Sequence, residues 1–169
     1  MSIRIPIDAI KGRGSSQVLA HRYAQEAREA LDDGWGGLDE ALADREKRAS
    51  EPTTWTWEEP RSLITRNRSP DVGFDLSINP YRGCEHGCSY CYARPSHSYL
   101  GLSPGLDFET RLVAKREPGR LLRAELARPG YRPGLLALGT VTDAYQPLER
   151  ELKLTREILQ VLHDCHHPV

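Results

Sequence analysis

The chain is short of features that define several protein classes. Its 169 residues include only four cysteines, two phenylalanines and one methionine, and its formal net charge is −1. No apolar run approaches the roughly 20 residues that a membrane-spanning helix needs, so we expect no membrane span. The absence of a basic excess argues against binding nucleic acid through overall charge. A content of 38% hydrophobic and 28% charged residues is that of a soluble globular protein.

The first residues also lack the long apolar stretch of a secretory signal. We therefore expect a cytoplasmic protein with reduced cysteines, which disfavours a disulfide framework. Several arginines lie between Arg111 and Arg132, and arginine suits the recognition of phosphate or carboxylate groups. An exposed helix face is the simpler explanation of that segment.

Three of the four cysteines are concentrated in one short run. Cys84, Cys88 and Cys91 follow the spacing C-x3-C-x2-C, flanked by Gly83 and Gly87. A structural zinc site takes four ligands, and a ferredoxin-type [4Fe-4S] cluster takes four thiolates. Three thiolates leave one iron of a cubane cluster open to another ligand. The run therefore predicts a catalytic cluster, held by a loop whose glycines permit unusual backbone angles.

Two other readings of the cysteines stay open at this point. Zinc could bind to the three cysteines together with His86 or His97. The fourth cysteine, Cys165, lies far along the chain at the end of an expected helix, and we expect it to pack in the core.

A second polar motif spans residues 139–147 and contains Thr140, Thr142 and Asp143. It follows the apolar run 135–140, which lacks alternation and is typical of a strand in a parallel sheet. Active sites of parallel α/β folds form at the carboxyl ends of strands. Because the cysteine run also follows a strand candidate, residues 74–78, both loops are expected at one edge. Lys115 ends a further strand candidate and either points to that edge or is solvated.

The remaining pattern alternates strands with helices. Residues 108–115 predict a strand, and residues 118–127 and about 147–163 predict helices. This β–α–β–α order predicts a parallel sheet in an α/β domain at 61–169. Residues 1–60 differ in composition and predict an extension, partly helical or disordered, with helices near 17–31 and 38–49. An extended segment at 53–57 is expected to dock its tryptophans onto the next domain.

The cysteine run, with aromatic Tyr90 directly before its third cysteine, resembles the signature of the radical S-adenosylmethionine (radical SAM) superfamily. The likeness continues outside the run. Residues 69–84, 91–97, 106–110 and 139–146 resemble the bacterial radical SAM proteins related to spore photoproduct lyase. The stretch Gly12-Arg13-Gly14 resembles a branch of that group.

The resemblance implies a set of cofactors and roles. A [4Fe-4S] cluster would bind Cys84, Cys88 and Cys91, and its fourth iron would bind the amino and carboxylate groups of S-adenosylmethionine (SAM). Reductive cleavage of SAM would give a 5′-deoxyadenosyl radical that abstracts hydrogen from a substrate. Tyr90 would lie against the adenine. By the same analogy Thr140, Thr142 and Asp143 are candidates to bind the ammonium group of SAM, unless they cap the following helix. An electron donor of the flavodoxin or ferredoxin type would reduce the cluster.

The implied fold is a partial (β/α) radical SAM barrel with parallel strands, preceded by a mostly helical or irregular extension. We expect the chain to be the N-terminal part of a longer protein, with an exposed apolar edge at 135–138 and an exposed helix face at Ile158 and Leu162. The name of the group points to DNA repair. However, the stretch Leu138-Gly139-Thr140 lacks the hydrogen-donor cysteine that spore photoproduct lyase carries there. A non-catalytic iron–sulfur or zinc module and a nucleic-acid-associated protein are the alternatives, and the substrate is open.

Overall fold

The computed structural model describes residues 22–23 and 52–169, and all statements on structure refer to these residues. The strands are β1 Thr54–Glu58, β2 Ile64–Arg66, β3 Leu76–Ile78, β4 Tyr81–Arg82, β5 Arg111–Lys115 and β6 Leu136–Leu138. The α-helices are α1 Asp107–Thr110, α2 Pro118–Leu126, α3 Glu149–Leu152 and α4 Leu154–Asp164, and a 3₁₀ helix spans Arg94–Leu100. None of these helices is both long and apolar enough to cross a membrane. The predicted helices at 17–31 and 38–49 lie, apart from residues 22–23, outside the described residues.

The strands form two three-stranded sheets of mixed direction. In the first sheet, β5 lies between β1, to which it is parallel, and β4, to which it is antiparallel. In the second, β3 lies between antiparallel β2 and parallel β6, with Leu76 opposite Leu136. These described strands do not close a barrel. The parallel pairing of β3 and β6 brings the carboxyl ends of both strands to the same edge. The second motif begins directly after β6, and the cysteine run follows β3 after the two-residue strand β4 of the first sheet.

The larger core lies between the second sheet and the helices α2 and α4. Its buried members come from β3, β6, α2 and α4 and from the segment before β2: Leu63, Leu76, Ile78, Leu122, Leu136, Ile158, Val161 and Leu162. The partly buried Ile64 of β2 packs against them. Ile158 and Leu162 are 0% and 1% exposed, so the expectation of an exposed helix face there is wrong. The apolar stripe of α4 covers the sheet instead. At the β6 edge Leu136 is buried, whereas Leu135 is 58% exposed.

A smaller core lies beneath the first sheet. Tyr81, Leu112 and Ala114 pack there with Leu148 and Leu154, and Trp55 lies against them. The extended segment predicted at 53–57 is confirmed as β1, and its pairing with β5 places it in the same sheet as residues from the domain after residue 61.

Two predicted elements are divided in the structure. The strand expected at 108–115 is a strand only from Arg111, because residues 107–110 form the single turn α1. The helix expected at 147–163 is interrupted at Lys153, whose φ of 57° is left-handed. Beyond this break the Glu149 carboxylate accepts hydrogen bonds of 3.0 Å from the amides of Thr155 and Arg156. It thereby satisfies amides in the first turn of α4 that have no partner within the helix.

Replacing Leu122 by alanine should cost about 2–5 kcal/mol of unfolding free energy, because the substitution opens a cavity in the larger core. Leu122 is 0% exposed and belongs to α2. Urea denaturation would measure the loss. Leu135→Ala is the matched control, since this side chain is largely exposed and should change stability by no more than about 0.5 kcal/mol. Equal losses in the two variants would contradict this view of the core.

Candidate functional site

Two loops enclose an open cavity of about 800 Å³ at the shared edge of β3 and β6. The cysteine loop, residues 83–92, contributes Cys84, His86, Cys88, Cys91 and Tyr92 to the lining. The second loop, residues 139–147, contributes among others Thr140, Thr142, Asp143 and Tyr145. The structure therefore brings together all three cysteines of the run and the three polar residues of the second motif.

The three cysteines of the run differ in exposure but are all free thiols. Cys84 is buried, Cys91 is half-buried and Cys88 is exposed. Burial raises the pKa of the Cys84 thiol above its ordinary value, and the backbone amides of His86 and Asp143 act in the opposite direction. Hydrogen bonds from backbone amides to a cysteine sulfur favour the thiolate, which is the form that binds iron.

The donor set fits a cluster with three protein thiolates. Each thiolate of a cubane binds a different iron, so the cysteines need to face one cavity without converging on a single point. In residues 22–23 and 52–169, no group of three or more histidine, cysteine, aspartate or glutamate side chains is placed to hold one metal ion. Cys165 directly follows α4 and is exposed, so the expectation that it packs in the core is wrong.

Gly83 allows the cysteine loop to approach α1 closely. Its φ is +81°, and a Cβ atom there would lie 2.7 Å from Leu112 Cδ2 and 2.8 Å from the carbonyl oxygen of Phe108. The same Phe108 oxygen accepts a 2.9 Å hydrogen bond from the amide of Cys84. A side chain at residue 83 would therefore separate the first cysteine from its support.

A reciprocal set of hydrogen bonds ties the two loops together. The fully buried Gln146 accepts from the amide of Glu85 at 3.0 Å, and the Glu85 carboxylate accepts from the amide of Leu148 at 2.8 Å. Thr142 donates to the carbonyl of Gly83 at 2.7 Å and accepts from Gln146 at 3.2 Å. Cys84 therefore lies between two anchored residues, and the Thr142 hydroxyl is already engaged.

Thr140 and Asp143 make hydrogen bonds to neighbouring residues that differ from the loop-to-loop bonds of Thr142. Asn79 donates to the Thr140 hydroxyl at 3.1 Å and accepts from the amide of Val141 at 2.8 Å. The exposed Asp143 carboxylate accepts from the amide of Tyr145 at 2.7 Å, and its other oxygen lies 3.4 Å from His86 Nε2. Neither residue caps α3, which begins at Glu149 without a side-chain cap, so the capping alternative is wrong for both. The same holds for Thr142.

Other candidate residues lie away from the cavity lining. Tyr90 is 88% exposed and outside it, so its contact with adenine stays a prediction. Tyr92 lines the cavity instead, and its hydroxyl donates to the carbonyl of Thr140. His97 is fully buried, and its Nε2 lies 2.9 Å from the carbonyl of Arg111. Lys115 is buried in the first sheet, where burial lowers the pKa of its ammonium group.

Sequence reasoning missed the residues that organise the site: Asn79, Glu85, Tyr92, Arg94, Glu109 and Gln146. A buried glutamine such as Gln146 carries no charge or metal affinity that would mark it in a sequence. Its position within the second motif is the one available signal. Its partner Glu85 is 61 residues away along the chain.

The chain is similar to proteins of mycobacteria and of an archaeon. An uncharacterized protein of Mycobacterium tuberculosis and one of Mycobacterium bovis are each 40% identical to it over 136 residues. The match covers 78% of this chain and 40% of each relative, so the chain spans about two fifths of the length of these curated relatives. An uncharacterized protein of Methanocaldococcus jannaschii is 32% identical over 88 residues, which is 52% of this chain and 31% of that protein. No protein-family model and no solved structure matches the chain.

Proposed function

We propose that this chain is a radical SAM enzyme, or part of one, in which the cysteine loop holds a [4Fe-4S] cluster and the adjacent cavity binds SAM. The observation that supports this best is that Cys84, Cys88 and Cys91 line one cavity. The cavity is large enough for a ligand of SAM's size. Since the chain spans two fifths of its relatives, the proposal covers cluster and SAM binding and leaves the substrate open.

We further propose that the parallel pair β3 and β6 belongs to a partial (β/α) barrel. The second loop directly follows β6, and the cysteine loop follows β3 after the two-residue strand β4, close to the carboxyl ends where active-site loops of such barrels lie. A cytoplasmic location is part of the same proposal, because an iron–sulfur cluster on free thiols requires reduced cysteines.

The cluster would supply the electron for cleavage of the SAM sulfonium. The chain's own residues would bind and orient the ligands. The Asp143 carboxylate reaches the cavity and offers an anionic partner for the ammonium group of SAM, with the Thr140 hydroxyl nearby on the same loop. Tyr92 and Tyr145 place exposed rings at the cavity, where they would limit the access of water. Cys88 lies on the exposed side, which is where we place the docking of an electron donor of the flavodoxin or ferredoxin type.

One alternative has an observation in its favour. His86 lines the cavity with the three cysteines, which supplies the residue types of a Cys₃His zinc site, although in the described part of the chain no three of these side chains are placed to hold one ion. The segment from Arg111 to Arg132 gives only weak support to the alternative of a nucleic-acid-associated protein. Its members Arg116, Arg120 and Arg123 form exposed ion pairs with acidic residues, which compensate their charge.

Anaerobic reconstitution with ferrous iron and sulfide distinguishes a cluster-binding site from a zinc-binding site. The proposed site should take up about four irons and four sulfides per chain and develop the visible absorbance of a [4Fe-4S] cluster. Uptake of one zinc ion per chain from a mixture of both metals, without sulfide, would support the zinc alternative and overturn the proposal.

Adding SAM to the reduced cluster should change its electron paramagnetic resonance spectrum, because the ligand would occupy the open iron. Asp143→Asn should weaken the apparent SAM affinity about tenfold, since a charge-assisted hydrogen bond contributes roughly 1.5–3 kcal/mol. Asp164→Asn, at an exposed aspartate on α4, is the control. A spectrum that stays unchanged on a fully loaded cluster would contradict SAM coordination.

A further inference from the structure

The cysteine loop rests on two groups that the proposed chemistry does not use. One is α1, whose Phe108 carbonyl accepts the amide of Cys84. The other is Arg94, the first residue of the 3₁₀ helix, which directly follows the loop region and is buried at 9% exposure. Arginine is rarely buried unless it is paired, so its position calls for a physical reason.

The guanidinium of Arg94 has all five of its N–H donors engaged. Nε donates to the carbonyl of Cys88 at 2.9 Å, and Nη2 donates to the carbonyl of Gly87 at 2.8 Å and to the Glu109 carboxylate. Nη1 donates to the carbonyls of Gly105 and Pro104 at 3.0 and 3.3 Å. The side chain therefore links the cysteine loop to α1 and to the turn before it.

Glu109 compensates the buried charge of Arg94. It is 0% exposed, and the guanidinium carbon also lies 5.4 Å from the ring centre of Phe108. Burying two charges is costly, and removing one partner leaves the other uncompensated. Arg94 and Glu109 therefore fix each other's positions. The carbonyls of Gly87 and Cys88, to which Arg94 donates, are fixed with them.

Those carbonyls belong to the metal-binding part of the loop. The Cys88 carbonyl, which Arg94 holds, also accepts the amide of Cys91 at 3.2 Å. One oxygen therefore joins the second cysteine to the third. Meanwhile α1 holds Cys84 through Phe108 and Arg94 through the next residue, Glu109. This short helix thus sets both ends of the C-x3-C-x2-C run relative to each other.

We infer that Arg94, held by Glu109, is a positioning residue that sets the arrangement of Cys88 and Cys91 relative to Cys84 before any metal binds. The inference rests on the proposed function only in that the cysteines hold a cluster. Lysine cannot replace the arginine, because a compact ammonium with three donors cannot reach five acceptors arranged around a planar fork.

Hydrogen–deuterium exchange of the metal-free protein tests this directly. In Arg94→Lys and in Glu109→Gln, peptides covering residues 84–93 should exchange about tenfold faster than in the unsubstituted chain, as expected of a locally opened unit. Peptides covering β3 should keep their protection. Arg123→Lys is the control for the arginine, since Arg123 forms an exposed ion pair on α2. Glu125→Gln is the control for the buried carboxylate, which accepts the amides of Leu63 and Ile64 away from the loop.

Reconstitution with ferrous iron and sulfide gives the second readout. Both variants should lose iron to a chelator about tenfold faster than the controls, and the spectrum of the reduced cluster should broaden as the thiolates take several arrangements. Faster loop exchange in a protein that never takes up iron would support the inference while the proposed function failed. Unchanged loop exchange in both variants would overturn it. Loss of protection in β3 as well as in the loop, in both variants, would also overturn it, because the pair would then support the whole fold.

Discussion

Replacing any one of Cys84, Cys88 and Cys91 by alanine is expected to reduce iron uptake from about four ions per chain to nearly none. A cubane with one iron already open has no spare protein ligand, so two thiolates cannot hold it. Iron and sulfide assays after anaerobic reconstitution, together with the visible absorbance, measure the loss.

Cys165→Ala is the control for these variants. Cys165 is exposed at the end of α4, outside the cavity lining, and its loss should leave the cluster intact. Full iron and sulfide loading in Cys88→Ala would contradict the assignment of the three ligands. An equal loss in Cys165→Ala would show that uptake depends on thiol content and not on the cysteine loop.

Elements with local signals were predicted well from the sequence. The helix predicted at 118–127 is observed at Pro118–Leu126, since a proline in its first turn and Pro129-Gly130 beyond it mark both ends. The apolar run 135–140 contains β6, and residues 74–78 contain β3. They pair in parallel, but β5 lies in the other sheet and both sheets also contain an antiparallel strand, so the expectation of one parallel sheet is wrong.

Elements determined by distant contacts were not predictable in this way. Residues 108–115 alternate as a strand does, but residues 107–110 form a helical turn whose Phe108 carbonyl accepts the amide of Cys84 and whose Glu109 carboxylate accepts a hydrogen bond from Arg94. These partners lie 24 and 15 residues away along the chain. No glycine or proline marks the break at Lys153 in the sequence. The start of α4 after the break is stabilised by the Glu149 carboxylate, which accepts the amide of Thr155.

The same distinction applies to the site. The residue types of the cysteine run and of the second motif indicate what chemistry each can perform. The parallel pairing of β3 and β6 brings the two motifs to one cavity. The bonds that tie the loops join residues about 60 apart, as with Gly83 and Thr142 or Glu85 and Gln146, and leave no local pattern. Residue types indicate which groups can bind a ligand, whereas tertiary packing decides which groups hold those residues in place.

Replacing Gly83 by alanine should both destabilise the protein and prevent cluster uptake. A left-handed backbone costs a residue with a Cβ about 1–2 kcal/mol. At Gly83 the added atom would also lie 2.7 Å from Leu112 Cδ2 and 2.8 Å from the Phe108 carbonyl oxygen. The oxygen is backbone and cannot rotate away, so Cys84 must move off α1. We expect a loss of more than about 2 kcal/mol in urea denaturation, with nearly no iron bound after reconstitution.

Gly101→Ala is the matched control because it separates backbone strain from the steric clash. Gly101 has a φ of +70°, close to the +81° of Gly83, but nothing lies within 4 Å of its Cβ position. This variant should lose only about 1–2 kcal/mol from the left-handed backbone and should take up a full cluster. Similar losses of stability and of iron in both variants would mean that strain alone explains Gly83, and that close contact between the cysteine loop and α1 is not needed to hold the cluster.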